Sequence, residues 1–306
     1  MTALRPLPAA IAGAGALAED PLRGIILYAA ATILFATADT TAKYLTAFLP
    51  IIEIIWIRYA IFVMFAASLV YRTRPSGLAL RSPSMQLARG VFLVGSSILF
   101  VFGVSRMPIS QATSISFVAP MLITILSIPL LGEQVGIRRW AAVVVGLIGV
   151  LIVVRPGGGT LGAAALFSLG SAFCWAMALI ITRKMATSER PTTTLLISAT
   201  TGLLLLSLLL PFNFAWPTPF QAALTLLLGS FASLGQWMVV LAHRQAPASA
   251  LAPFSYGQLL WVSIGGYLVF AAIPDRWTVL GSAIIIASGL YTAHRERMRA
   301  RQRRAG

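Results

Sequence analysis

Ten apolar runs, each close to the length of a membrane-spanning helix, are what most constrains the fold of this chain. They lie at about 24–46, 51–71, 87–105, 108–131 and 138–154, and again at about 162–182, 193–212, 219–241, 247–271 and 276–293. An α-helix rises about 1.5 Å per residue, so about 20 apolar residues cross the ~30 Å of hydrocarbon in a bilayer. Pro, Gly, Arg or short polar clusters separate the runs, and the shortest breaks are at Met107-Pro108 and Gln245-Ala246-Pro247. Charged residues make up 10% of the chain, against about 25% in a soluble globular domain. So little charge cannot cover 306 residues with a water-compatible surface. The solvent this sequence is built for is lipid, and the expected fold is an all-α integral membrane protein.

The net charge of +15 does not point to nucleic acid, because the basic residues sit in short connections with no folded basic face to carry them. Their placement reports topology instead. With the N-terminus inside, the inner segments hold Arg5, Arg23, Arg72, Arg74, Arg81, Arg89, Arg138, Arg139, Arg183, Lys184, Arg190 and Arg244. The C-terminal tail adds Arg295, Arg297, Arg299, Arg301, Arg303 and Arg304, while the outer segments hold only Arg106, Arg155 and Arg276. Cytoplasmic loops carry the excess of Lys and Arg, so both termini are expected in the cytoplasm, with an even number of spans. The stretch Met1 to Asp20 lacks the leucine-rich core of a signal peptide and reads as a flexible cytoplasmic tail. The basic C-terminal tail reads as a topology anchor drawn to anionic lipid. A single cysteine, Cys174, excludes an internal disulfide, and with two histidines it offers no metal site. No cofactor is expected.

The chain also carries an internal repeat. Ile109 to Phe117, running on to Arg139-Trp140, lies over Ala246 to Phe254, running on to Arg276-Trp277; Phe117 meets Phe254 and Trp140 meets Trp277 at one common offset. Five spans per half is an odd number, so the two halves are expected in opposite orientations. Inverted repeats suit alternating access, because one pattern can form both an outward and an inward gate. The expected division is a tail at 1–21, a first repeat at 22–155, a second at 156–293 and a basic tail at 294–306.

Phe117-Val-Ala-Pro120, Leu131-Gly-Glu133 and Gly146-Leu-Ile-Gly149 together resemble the end of an EamA domain. Ala252-Pro-Phe-Ser-Tyr256, Pro274-Asp-Arg-Trp277 and Ser288-Gly-Leu-Tyr291 resemble the end of a second copy. From about residue 22 to 293 the chain is similar to ten-helix members of the drug/metabolite transporter superfamily. That resemblance implies ten helices around a central cavity, export or uptake of small metabolites, and no use of ATP by the chain itself. It also implies that the fifth and tenth helices flank the cavity and can support a homodimer. Glu133, a carboxylate near the cytoplasmic face, departs from the symmetry, since the matching stretch is Phe270-Ala-Ala272.

Ionisable groups inside spans are costly and mark cavities or partners. Asp39 and Lys43, four residues apart, share one face of the first span. Arg58 lies on the second span at about the depth of Asp39, while Glu53 is nearer the surface, where water can reach it. The pair Asp39–Arg58 is read either as a packing ion pair or as a site in which Asp39 takes a cation or proton and Arg58 or Lys43 a carboxylate. Gln236 and Gln258, amides in hydrocarbon, need a partner or water. Tyr256 and Trp261 join them as candidates for binding, although their spacing keeps both from pointing squarely into one cavity. Pro120 and Pro253 are expected to break their spans and act as hinges, and small residues such as Ala142, Gly146, Gly281 and Gly289 let helices approach closely.

The sequence reading is therefore an inner-membrane secondary transporter, an exporter of a small polar metabolite such as an amino acid or related zwitterion, working in the bilayer without a nucleic-acid partner. An integral-membrane enzyme and a receptor or scaffold without transport are the alternatives. Neither a nucleophile–acid–base set nor a long soluble segment is present to favour them.

Overall fold

The computed structural model describes residues 21–73, 81–132, 136–155, 161–185, 189–212, 214–246, 251 and 254–305. Among these residues all regular structure is helical. The elements are α1 (Pro21–Leu45), α2 (Ile51–Thr73), α3 (Pro83–Arg106), α4 (Ile109–Ser116), α5 (Ala119–Leu131), α6 (Ile137–Val154) and α7 (Leu161–Met185). They continue with α8 (Pro191–Leu209), a 3-10 turn (Leu210–Phe212), α9 (Pro219–Gln245), α10 (Gly257–Phe270) and α11 (Arg276–Ala305).

Seven stretches among the described residues are long and apolar enough to cross a membrane, α4 and α5 counting together as one of 23 residues. Two shorter apolar helices, Trp140–Val154 and Gly257–Phe270, accompany them. The protein is a multi-pass membrane protein.

Local sequence explains where the helices begin and end. Prolines open α3, α8 and α9 in the first turn, where a missing N–H costs nothing and the fixed φ suits the helix. At α9, Thr218 and Gln221 form a capping box, each side chain accepting from the other's backbone N–H. Gly132 closes α5 in the left-handed region at φ 67°, which glycine adopts without a Cβ penalty. Ala271 does the same for α10 at φ 53°, at a cost of about 1 kcal/mol for a residue with a side chain.

Many hydroxyls inside the spans find partners within the protein, although those of Thr113, Ser168 and Thr278 are buried with no partner among the described residues. Thr40 and Thr41 donate to the carbonyls of Ala36 and Thr37, one turn earlier, at 2.8 Å each. Other hydroxyls join helices: Ser96 and Ser171 exchange bonds with each other's carbonyls at 3.0 and 2.9 Å, fastening α3 to α7. Ser288 donates to the Ala142 carbonyl at 2.6 Å, fastening α11 to α6. A Cβ added at Gly149 would lie 2.9 Å from the Gly281 carbonyl, and one at Gly281 2.6 Å from that of Gly149. Of the small residues expected to permit close packing, Gly281 does so between α6 and α11, with Gly149 opposite it, while Gly146 packs on Met121 and Gly289 on Tyr256.

Helix α1 packs on α9 and α10, and α7 packs on α3 and α5; α2 lies against α8 and α9, and α3 also against α8. Helix α4 touches α10, and α6 pairs with α11. The two central helices, α1 and α7, thus each hold a partner from the opposite half of the sequence.

Two expectations change at this level. Helix α3 begins at Pro83 rather than near residue 87, and Arg89, counted with the inner basic residues at the edge of that run, stands two turns into the helix and is 8% exposed. Glu53, expected within reach of water, is fully buried; Oε2 accepts the Ala215 backbone N–H at 3.0 Å, while Oε1 has no partner among the described residues. The reason is tertiary. The segment leading into α9 folds over the start of α2 and covers it.

Candidate functional site

The helix packing leaves a cavity between α1, α2, α3, α7, α8 and α9. Its volume is about 90 Å³, room for about six waters at the ~15 Å³ each requires by this measure. Arg58, Tyr59 and Phe62 line it from α2, and Arg89, Leu93 and Ser97 from α3. Phe35 on α1, Trp175 on α7 and Gln236 on α9 complete a wall that is aromatic on one part and hydrogen-bonding on another.

The two arginines have different surroundings. Arg58 lies about 10 Å along α2 from Ile51 and makes no hydrogen bond among the described residues. Arg89 is held on three sides: Nε donates to Thr182 Oγ1 at 2.7 Å, and Nη1 donates to the Thr194 carbonyl at 3.3 Å and to Ser198 Oγ. Thr194 Oγ1 also accepts from Gln86 Nε2 at 3.0 Å. These bonds tie α3 to α7 and α8 at the cavity wall. Tyr59 lies within electrostatic range of both guanidinium groups, and its hydroxyl is 3.3 Å from Ser97 Oγ.

Asp39 sits one helical turn beyond Phe35 on α1. Gln258 Nε2, from α10, donates to its Oδ2 at 2.9 Å. The field of Arg58 reaches Asp39, but the two are not in ion-pair contact. The packing ion pair read from sequence does not describe this geometry, because the amide of Gln258 and not the guanidinium bonds the Asp39 carboxylate.

The remaining sequence candidates divide clearly. Gln236 lines the cavity. Lys43 does not: its Nζ donates to the carbonyls of Val104 and Met107 at 2.5 and 2.7 Å and lies 5.3 Å from the centre of the Phe270 ring. It neutralises the carbonyl end of α3, where the helix dipole favours a cation. Tyr256 packs against Phe117 with ring centres 5.1 Å apart and the rings tilted by 35°, and its hydroxyl fills the space a side chain at Gly289 would need. Trp261 is 38% exposed and lies outside the cavity lining. Pro120 stands in the first turn of α5, just after the helix breaks at Phe117 and Val118. Glu133 and Pro253 fall outside the described residues.

Sequence reasoning missed Arg89, Tyr59, Ser97 and Ser198. Arg89 follows the polar connection and so reads as part of it. The hydroxyls of Ser and Thr recur throughout the spans, so nothing in the sequence separates Ser97, which faces the cavity, or Ser198, which holds Arg89.

A family model described as the EamA-like transporter family matches residues 22–155 and again 162–292. The chain belongs to the EamA-like transporter family. Its members' signature thus occurs twice in this chain, covering nearly all the described helices. A protein named riboflavin transporter from Rhizobium johnstonii is 30% identical over 94% of this chain and 97% of its own length. An S-adenosylmethionine uptake transporter from Rickettsia prowazekii is 28% identical over 90% and 94%. The pseudopaline exporter CntI of Pseudomonas aeruginosa is 23% identical over 87% and 94%. A crystal structure covering 90% of this chain and 98% of its own superposes with a TM-score of 0.62 at 18% identity, a likeness of fold. This EamA-family chain is accordingly a membrane transporter of a small metabolite.

Proposed function

We propose that this protein is a secondary transporter of the cell membrane that carries a small polar metabolite with a carboxylate, such as an amino acid or related zwitterion, by alternating access. The observation that carries this reading is the cavity itself. Arg58, a guanidinium with no hydrogen-bond partner among the described residues, lines a space with room for water inside an apolar helical bundle. A planar fork of donors is suited to a carboxylate. Asp39, held by Gln258 within electrostatic range of Arg58, offers an anionic counterpart for an amino group.

Alternating access requires two gates built alike. The packing supports that reading, because exchanging the halves turns the α1–α9 contact into α7–α3 and the α1–α10 contact into α7–α5. The contacts of α2 with α9 and of α8 with α3 are exchanged in the same way. Such a pattern is expected of two repeats related by a pseudo-two-fold axis, which are inverted when each half has an odd number of spans. Ten spans follow if α6, α10 and the apolar part of α11 cross with the seven longer stretches, with both termini cytoplasmic. Export is the proposed direction.

The test compares metabolites inside and outside cells that carry the wild type, Arg58→Ala or no transporter, at matched membrane abundance. The expected outcome is a compound that accumulates in the medium with the wild type alone. Accumulation inside the cell would assign uptake, and equal redistribution by Arg58→Ala would remove Arg58 from the site.

A further inference from the structure

The charges around the cavity do not balance. Arg89 is 8% exposed, and its three acceptors, Thr182 Oγ1, the Thr194 carbonyl and Ser198 Oγ, are all neutral. They fix the guanidinium in place without cancelling its charge. Arg58 has no acceptor among the described residues, and the carboxylate whose field it shares, Asp39, is engaged by an uncharged amide. The other charged groups on the facing stretches of α1 and α2 are engaged elsewhere. Lys43 is spent on the end of α3, and Glu53 on the Ala215 N–H. Among the described residues, two cations therefore line this interior space, and one anion, Asp39, lies within electrostatic range of Arg58 beside it.

An unbalanced charge at this depth is costly, and removing it is worth more here than in water. A neutral zwitterion would leave the imbalance as it found it. We propose that the carried species is a net monoanion with two acidic groups and one amino group, an amino dicarboxylate in chemical class, its acids directed to Arg58 and Arg89 and its amine to Asp39. This rests on the reading of the cavity as the transport site and narrows it. Tyr59, within electrostatic range of both guanidinium groups, and its neighbour Ser97 supply neutral hydroxyl donors for the same acids.

The experiment follows the net charge of whatever the protein moves, so the substrate need not be identified beforehand. Metabolites are compared between cells carrying the wild type and cells without it, and each redistributed compound is assigned its net charge at pH 7. Compounds of charge −1 are expected. In Arg58→Gln cells, matched for membrane abundance, their redistribution falls at least tenfold while neutral zwitterions of similar size gain relative to them. A wild type that moves a net-neutral or cationic compound overturns the inference and leaves the transporter reading standing. A wild type that moves nothing overturns the transporter reading, and this inference with it. The wild-type result decides alone if Arg58→Gln does not reach the membrane.

Discussion

Arg58 and Arg89 lie on neighbouring helices and line one cavity, yet their substitution should differ in its effect on stability. Arg58 makes no bond among the described residues, so Arg58→Ala should leave thermal unfolding in detergent unchanged while transport falls at least about tenfold, the worth of one charge-assisted hydrogen bond. Arg89 joins three helices, so Arg89→Ala should lower stability by about 2–3 kcal/mol, measurable as earlier thermal unfolding. Lys43 provides a contrast. Lys43→Met keeps the apolar stem but removes both bonds to the end of α3; a loss of about 1–3 kcal/mol is expected, with the ranking of transported compounds unchanged. A changed ranking would return Lys43 to the binding site. Of these three residues, Lys43 and Arg58 were visible in the sequence as charges in apolar runs. Their roles were not, because a charge pattern does not say which acceptor a long side chain reaches.

The helices divide into those that pack tightly and those that break. Where α6 crosses α11, the backbones of Gly149 and Gly281 leave no room for a side chain. Backbone cannot move aside as a flexible side chain can, so Gly281→Ala should cost about 1–3 kcal/mol and lower the yield of folded protein in the membrane, which quantitative fluorescence of a fused reporter would record. The break between α4 and α5 has the opposite character. Pro120 follows it immediately, and Pro120→Ala restores a backbone N–H that can bond one turn back and extend α4 into α5. If this break is a hinge, Pro120→Ala should slow turnover severalfold while bound substrate still protects the protein against heat. The position of the break was legible to within a few residues from the proline. The contact of Phe117 with Tyr256 beside it was not, since that pair comes from two halves of the chain.

At the scale of the whole molecule, the two matches to one family model and the exchange-symmetric packing agree with a duplicated unit. The proposed topology is open to a direct check: a fluorescent protein fused after Gly306 should fluoresce, whereas a periplasm-dependent phosphatase at the same place should be inactive. The reverse pattern would exchange the inward and outward gates. Helix α11 continues without interruption through the basic stretch to Ala305, so that stretch is a helical extension of the last apolar segment.

The sequence by itself determined the solvent, the helical class, the approximate positions of the seven long apolar stretches and the family. Each of these depends on hydrophobicity, helix length or short motifs, which are local properties of the chain. Only the tertiary structure decided which charges share the cavity. It enclosed Glu53 beneath Ala215, spent Lys43 on α3, gave Asp39 to Gln258 and brought Arg89 in from the edge of its run to line the cavity with Arg58. These outcomes turn on contacts between residues far apart in the chain, where the cost of a buried charge is settled by whichever partner the fold supplies.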